Sequence, residues 1–206
     1  MTVLVLLPVG CSDSLAGLHL NRMFKVKKKP KITSVEFELQ VKRFLESTCG
    51  KLKQFQTEHR ESIDGHDGTY EIDITARFRI FGADFLVIVE CKNHTNRIKR
   101  EHVQMLHCKL MTLGAQKAML FSTSEFQEGA VEYAIQHGIA LVRLASGETS
   151  YFARSANPTP LPDSLPAYVG WLIAKHDRAT DGVSHSLVDP RHPDALNKFL
   201  FGPSVS

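Results

Sequence analysis

The first regular pattern of apolar and polar residues begins at residue 33. Thr33 and Glu36 have the spacing of a capping box, which predicts the start of a helix. The residues that follow have the spacing of an amphipathic helix that ends near Gly50, with a buried stripe of Phe37, Val41, Phe44, Leu45 and Thr48. Glu38 lies at the border of this stripe, where it is either an edge acid of the helix or part of a site.

Two apolar-rich strands follow, YEIDITARFRI and ADFLVIVECK, and they meet around residues 81 and 82. If a two-residue turn joins them, the register makes Asp73 face Glu90 and Glu71 face Lys92. Side chains alternate between the two faces of a strand, so Glu90 and Lys92 point the same way. The hairpin therefore predicts that Asp73, Glu90 and Lys92 converge on one face, unless a bulge shifts the register.

The remaining pattern predicts a loop before the hairpin and four elements after it. The polar stretch 57–69 contains Gly and Asp residues typical of turns and predicts the loop. The later elements are a helix in IKREHVQMLHCKLMTLG that ends at Gly114, a strand in KAMLF, a helix in FQEGAVEYAIQH and a strand in IALVRL. This order predicts an α/β fold with a mixed central sheet. Gln104 lies off the buried stripe and is either exposed or a hydrogen-bonding partner of the site.

Composition indicates one ordinary core. The 206 residues are 43% hydrophobic and 23% charged, which is typical of a single globular domain. The four cysteines have no CxxC spacing, which argues against a disulfide framework or a zinc site and for reduced thiols in a cytoplasmic protein. The apolar run at 1–11 has no basic residue before it, so we do not interpret it as an export signal and expect no membrane partner.

The chain divides into three parts. Residues 1–32 are predicted to be a flexible, basic N-terminal extension, within which Met23 is an alternative start of the functional chain. Residues 33–154 contain the predicted elements described above and form the expected domain. Residues 155–206 combine a Pro-rich linker with a C-terminal tail, in which AYVGWLIAKH predicts one short helix.

Basic residues are clustered, although the formal net charge of +3 does not by itself indicate a nucleic-acid partner. One cluster, KVKKKPK, occupies residues 25–31, and the other, NRIKR, occupies residues 96–100 directly after the second strand of the hairpin. Each cluster is either a solvated segment or a contact to DNA phosphates. In the second cluster, the DNA-binding alternative assigns that role to Arg97, Lys99 and Arg100.

Charged residues at the end of a buried strand indicate a candidate catalytic site. Facing Cβ atoms in the predicted hairpin are about 5 Å apart, so Asp73 and Glu90 either form a cross-strand salt-bridge cluster with Lys92 or share a divalent cation. Oxygen ligands without histidine or cysteine suit Mg²⁺, or Mn²⁺, better than zinc. Such a cation would polarise a phosphate and activate water while Lys92 orients that water, which is the chemistry of phosphodiester hydrolysis.

These residues also carry a family resemblance. The spacing of Asp73 and the Glu90-Cys91-Lys92 run is similar to the PD-(D/E)XK nuclease signature. The segments VEFELQVKRFL, VECK and LGAQKAMLFSTSEFQEGAVEYAIQHGIALV closely resemble the catalytic domain of Mrr-like type IV restriction endonucleases, over residues 33–144. The resemblance implies that residues 33–154 are such a domain, with a restriction-endonuclease-like three-layer sandwich in which helices flank a mixed central β-sheet.

The resemblance also implies roles for individual residues. Asp73 and Glu90 would be the metal ligands, Lys92 the catalytic lysine and Glu38 the helix-borne catalytic acid. Glu71 departs from the family pattern, since relatives often carry glycine at that position. The departure bears on how many metal ions bind and on the access of the scissile phosphate.

We therefore expect a Mg²⁺- or Mn²⁺-dependent DNA endonuclease that restricts foreign or modified DNA. A repair or recombination nuclease of the junction-resolvase type has the same fold and is an alternative. A non-catalytic DNA-binding module is a second alternative, but binding does not require the acids, which repel phosphate. Whether the protein forms a homodimer stays open.

Overall fold

The computed structural model describes residues 32–49, 54–80, 82–146, 168–175 and 183–201. All of them belong to one compact unit that comprises residues 32–206. The basic cluster at 25–31, the alternative start at Met23 and the Pro-rich linker lie outside the described residues.

The described residues contain four helices and seven strands. The helices are α1 (Ser34–Cys49), α2 (Arg100–Thr112), α3 (Glu128–Gln136) and α4 (Asp194–Phe201). The strands are β1 (Gln56–Asp64), β2 (Thr69–Ile80), β3 (Ala83–Lys92), β4 (Lys117–Ser122), β5 (Ala140–Ser146), β6 (Tyr168–Lys175) and β7 (Val183–Val188). Within these ranges, no helix has the length and apolar content needed to span a membrane.

The capping box predicted at the start of α1 is present. The Thr33 N–H donates to Glu36 Oε2 at 2.6 Å, and the Glu36 N–H donates to Thr33 Oγ1 at 3.1 Å. These two reciprocal bonds satisfy backbone donors that the first turn of a helix leaves without partners.

The strands form one mixed sheet in the order β1 to β7. β3, β4 and β5 are parallel, whereas the other neighbouring pairs are antiparallel. One face packs against α1 and α4, whose buried residues include Phe37, Val41, Phe44, Leu196 and Leu200. The other face packs against α2 and α3, whose buried residues include Val103, Leu106, Ala130 and Ala134. The expected sandwich of helices on both sides of a mixed sheet is confirmed.

The prediction of a loop at 57–69 is wrong, because this stretch contains most of β1 and the first residue of β2. β1 lies at the edge of the sheet, and none of its residues is fully buried. An edge strand pairs on one side only and faces solvent, so it can form from polar residues without strong apolar alternation. Backbone pairing with β2 therefore decides the structure of this stretch.

The prediction of a short helix in residues 167–176 is also wrong. This stretch contains β6, which pairs with β5 on one side and with β7 on the other. Gly170 allows α1 to approach this strand closely, because a Cβ atom at this position would lie 2.9 Å from Phe44 Cζ. A short apolar run does not distinguish a strand from a buried helix by its period alone. The segment after the linker therefore extends the sheet.

The β2–β3 hairpin has the predicted register over most of its length. Its pairs run from Ile80–Ala83 to Ile74–Val89, and Gly82 in the turn has φ of +82°. The predicted facing pairs Asp73–Glu90 and Glu71–Lys92 lie beyond the last pair of this ladder. Side-chain contacts rather than backbone pairing therefore decide how Asp73 and Glu90 are placed.

Candidate active site

The regular alternation of β2 breaks at Asp73. Ile72 packs in the core with α2 and α3, whereas Ile74 packs in the core with α1 and α4. Residues two apart in a regular strand would share a face. The ladder pairs His59–Ile74 and Glu61–Ile72 flank Asp73 and its neighbour Arg60, which has φ of +54°. The side-chain alternation of β2 and the backbone of β1 therefore depart from regular strand geometry at the same level of the sheet.

The Asp73 carboxylate replaces a backbone contact where the hairpin ladder ends. Its Oδ2 accepts a hydrogen bond of 2.7 Å from the Cys91 N–H on β3. Burial and the nearby Glu90 carboxylate raise the pKa of Asp73, against the opposing effects of the Cys91 N–H and Lys92. Asp73 and Glu90 are therefore close enough to repel each other when both are ionised.

Glu90 lies between two lysines. Lys92 Nζ donates to Oε1 of Glu90 at 2.7 Å, and Lys109 Nζ donates to Oε2 at 3.0 Å. Burial raises the pKa of Glu90, but the two ammonium groups outweigh burial and hold that pKa below its usual value. Lys109 also donates to the carbonyl oxygen of Glu71 at 3.2 Å, so α2 is tied to both strands of the hairpin.

Lys109 is a residue of this site that the sequence pattern did not single out. It lies three residues after the buried Leu106, and residues at this spacing are neighbours on one face of a helix. Gln104, which the pattern did single out, is exposed. A cavity of about 30 Å³ is lined by Glu90, Lys92, His102, Met105, Leu106 and Lys109. Its size suits one water molecule, which Glu90, Lys92 and Lys109 could bind.

Glu38 on α1 is almost fully buried, with 5% of its surface exposed. Its Oε2 atom lies 2.8 Å from His59 Nε2 and accepts a hydrogen bond of 2.9 Å from Arg60 Nε, while Oε1 accepts one of 3.3 Å from Arg60 Nη2. Burial raises the pKa of Glu38, but Arg60 and His59 together hold it below its usual value. The charge of Glu38 also contributes to the raised pKa of Asp73, so the helix acid lies near the hairpin acid.

Replacing Glu38 by Gln is expected to lower the free energy of unfolding by about 2 kcal/mol at pH 7, because it removes the charged acceptor that Arg60 and His59 share. A carboxyl group with a lowered folded-state pKa stabilises the fold above its usual pKa of 4.5 and loses that effect as the pH falls through the folded value. The difference between wild type and Glu38→Gln should therefore shrink below pH 4.5 in urea titrations.

Glu46→Gln is the control for this prediction. Glu46 lies on the same helix, but its ion pair with Lys42 leaves 46% of its side chain exposed, so its loss should cost well under about 1 kcal/mol. If the free energy of unfolding of Glu38→Gln is lower than that of the wild type by the same amount at every pH, the carboxylate charge does not stabilise the fold.

The basic cluster at 96–100 lies at the start of α2. Arg97, Lys99 and Arg100 are exposed, whereas Ile98 between them is fully buried and anchors the segment. The Arg100 guanidinium lies 4.9 Å from the centroid of the Tyr133 ring. A cation–π contact positions a guanidinium without neutralising its charge.

The available oxygen ligands suit a hard cation held by few protein groups. Within the described ranges, no group of three or more histidine, cysteine and acidic side chains is placed to hold a metal ion. Asp73 and Glu90 form a pair, and Mg²⁺ is commonly held by one or two carboxylates with water and substrate phosphate as further ligands. Burial raises the pKa of the Cys91 thiol well above its usual value, so it offers no thiolate. The donor chemistry fits magnesium or manganese better than zinc.

A mixed sheet between two helical layers, with one acid on β2 and an acid and a lysine at the end of β3, defines a domain of the restriction-endonuclease-like class. The family model of the Mrr catalytic domain, described as a restriction endonuclease, matches residues 30–148, which is more than half of the chain. The chain belongs to this family.

A solved structure, described as "Crystal Structure of Protein of Unknown Function AF1548", is similar to this chain, with 23% sequence identity and a TM-score of 0.43. The match covers 52% of this chain and 56% of that one, so the chain spans little more than half the length of that protein. No match was found among curated proteins.

Proposed function

We propose that this protein is a DNA endonuclease that depends on Mg²⁺, or Mn²⁺, to hydrolyse phosphodiester bonds. The observation that carries the proposal is the meeting of Asp73, Glu90 and Lys92 at the end of the hairpin. Glu90 has two ammonium partners, whereas Asp73 accepts its hydrogen bond from a neutral backbone N–H and has no ion-pair partner among the described residues. Asp73 is therefore the acid that a cation would neutralise.

The proposed roles follow from the donors of each residue. Asp73 and Glu90 would hold the cation, which when bound supplies positive charge to polarise a phosphate oxygen and favour the ionisation of water. Lys92 Nζ lies beside Glu90 and would donate a hydrogen bond to the attacking water or to the phosphate, offsetting charge in the transition state. Glu38 matches the helix-borne acid of the family motif, and we assign it to the catalytic machinery.

Within this reaction class, membership of a restriction endonuclease family supports the restriction of foreign or modified DNA. A cytoplasmic location and a homodimer belong to the same proposal. A junction-resolvase type of repair or recombination nuclease is the enzymatic alternative, because substrate choice lies in loops and partners rather than in the fold.

The test is cleavage of unmethylated, methylated and branched duplex DNA by the purified protein with Mg²⁺, with Mn²⁺ and with EDTA. We expect cleavage with either metal and none with EDTA. Preference for methylated DNA would support restriction of modified DNA, and preference for branched DNA would support the resolvase alternative. DNA binding without cleavage of any substrate would support the non-catalytic module and contradict the proposal.

Replacing Arg97, Lys99 and Arg100 together by Ala is expected to weaken binding equally on every DNA sequence, because these side chains would neutralise phosphates. The slope of log affinity against log salt should flatten by about 3 or fewer on duplex DNA. Cleavage at saturating protein should stay near the wild-type rate, since the residues of the site are intact.

Arg79→Ala is the control, because Arg79 is exposed near the turn of the hairpin and pairs with Asp84. It should leave the salt slope unchanged. If the slope of log affinity against log salt is unchanged in the triple variant, the three basic side chains are only solvent-exposed residues at the start of α2. The lysines at 25–31 or a second subunit would then have to hold DNA, and a variant with those lysines replaced would show which.

A further inference from the structure

Arg60 has an unusual backbone conformation for a strand residue. Its φ of +54° lies in the left-handed region, which is unfavourable for a residue with a Cβ atom. Residues held in this way persist where the surrounding structure imposes the conformation, and they cluster at functional sites. In a regular strand, consecutive side chains point to opposite faces. Here His59 and Arg60 both contact Glu38, so the strained backbone brings Arg60 to the buried acid.

The guanidinium of Arg60 is anchored without being saturated. Its Nε and Nη2 atoms donate to Glu38, and within the described residues no hydrogen bond reaches its Nη1 atom. The side chain keeps 45% of its surface exposed, whereas that of Glu38 keeps 7%. A guanidinium carries five N–H donors, so several remain for a ligand from solvent.

The charge of Arg60 lies beside the proposed cation site. The ladder pairs on either side of it, His59–Ile74 and Glu61–Ile72, bring Arg60 to the level of Asp73. Glu38 raises the pKa of Arg60 most, and the more distant charges of Glu71 and Asp73 raise it further. A guanidinium with free donors next to carboxylates that would hold a cation is suited to a phosphate, which binds both.

We propose that Arg60 is a further catalytic residue, which contacts a phosphate of the DNA strand being cleaved while Glu38, itself in contact with His59, holds its guanidinium in place. This inference rests on the proposed endonuclease function. It gives Glu38 the role of an anchor for a phosphate-binding arginine. The sequence pattern did not single out Arg60, because the residue lies in a polar edge strand with no motif around it.

Arg60→Gly tests the proposal, because glycine accepts the left-handed backbone and the variant removes the side chain while relieving strain. DNA binding is measured in EDTA at several salt concentrations, and single-turnover cleavage is measured with Mg²⁺. We expect the slope of log affinity against log salt to flatten by about 0.9, the effect of one lost phosphate contact. We expect the cleavage rate to fall by about 10²-fold, the effect of one lost transition-state donor.

Arg79→Ala is the matched control. Arg79 donates to Asp84 through Nε at 2.8 Å and Nη2 at 3.1 Å, the same atoms that Arg60 uses, but it lies near the turn of the hairpin. Its loss should change neither the salt slope nor the rate. Arg60→Lys keeps the charge but not the paired donors, so it should restore the salt slope while its cleavage rate stays at least about tenfold below wild type.

Each outcome bears on the proposal. A wild-type salt slope and rate in Arg60→Gly would overturn the role of Arg60 and leave the endonuclease function intact. A lower melting temperature with an unchanged salt slope would show that Arg60 is only structural. If Arg60→Gly does not fold, a wild-type cleavage rate in Arg60→Lys would overturn the proposal. A wild-type protein that neither binds nor cleaves DNA would overturn the proposed function itself, and this inference with it.

Discussion

Replacing Asp73 by Asn is expected to abolish DNA cleavage while leaving DNA binding unchanged or tighter. The variant removes one of two carboxylates proposed to hold the cation, and a bound metal ion contributes several kcal/mol to transition-state stabilisation. A loss of about 4 kcal/mol corresponds to a rate reduction of about 10³-fold. Removing a negative charge also lowers the electrostatic repulsion of DNA phosphates. Glu90→Gln should have the same effect on cleavage.

Thermal unfolding of Asp73→Asn distinguishes a loss of chemistry from a loss of structure. Asn keeps an oxygen that can accept the hydrogen bond from the Cys91 N–H. Burial raises the pKa of Asp73 in the folded state, so its ionised carboxylate destabilises the fold at pH values above that pKa. This destabilisation disappears as the pH falls, because Asp73 then becomes protonated in both the folded and the unfolded state. Without metal, the variant should melt at or above the wild-type temperature at pH 7, with a difference that narrows at lower pH. Mg²⁺ should raise the melting temperature of the wild type only.

Asp84→Asn is the matched control for Asp73→Asn. Asp84 is an exposed acid on the same hairpin, where it pairs with Arg79, so its replacement should leave cleavage at the wild-type rate. Full cleavage activity of Asp73→Asn with Mg²⁺ would contradict the proposed cation site. A large fall in its melting temperature without metal would indicate that the acid is structural.

Replacing Lys92 by Met is expected to slow single-turnover cleavage by about 10²- to 10³-fold, because it removes the ammonium group proposed to offset charge in the transition state. The effect on stability should be small. Lys92 and Lys109 both donate to Glu90 and are similarly exposed, at 24% and 21% of their side-chain surface. Removing either one leaves Glu90 with one ammonium partner, so each variant should lose only about 1 kcal/mol of unfolding free energy.

Lys109→Met is therefore the matched control for Lys92→Met. Lys109→Met also loses the hydrogen bond to the Glu71 carbonyl oxygen, so it should melt at or below the temperature of Lys92→Met, but it should cleave DNA much faster. Equal rate losses would mean that the lysines act only as partners of Glu90. Wild-type cleavage by Lys92→Met, together with a large fall in its melting temperature, would support the cross-strand salt-bridge cluster instead.

Elements with local signals could be predicted from the sequence. The capping box of Thr33 and Glu36 marked the start of α1, since both residues lie in one turn. The turn at 81 and 82 predicted the hairpin register from Ile80–Ala83 to Ile74–Val89, because turn length sets the pairing of adjacent strands. The apolar stripes predicted α2 and α3, because an amphipathic helix carries its period within its own residues.

Elements that depend on distant neighbours could not be predicted in this way. β1 is polar because it occupies the edge of the sheet, and its pairing with β2 compensates for weak apolar alternation. β6 is a strand rather than a helix because it pairs with β5 and β7, with Gly170 against Phe44 of α1. In both cases the tertiary environment overrides the weak local preference of a short segment.

The same division applies to the candidate site. The amino-acid pattern alone was enough to predict that Asp73, Glu90 and Lys92 share one hairpin, because hairpin pairing is local. The residues that other elements contribute depend on the packing of the whole fold. Packing of α2 brings Lys109 to Glu90, and the left-handed backbone of Arg60 brings its guanidinium to Glu38. No spacing in the chain encodes these contacts, because they arise from the packing of separate elements and from one strained residue.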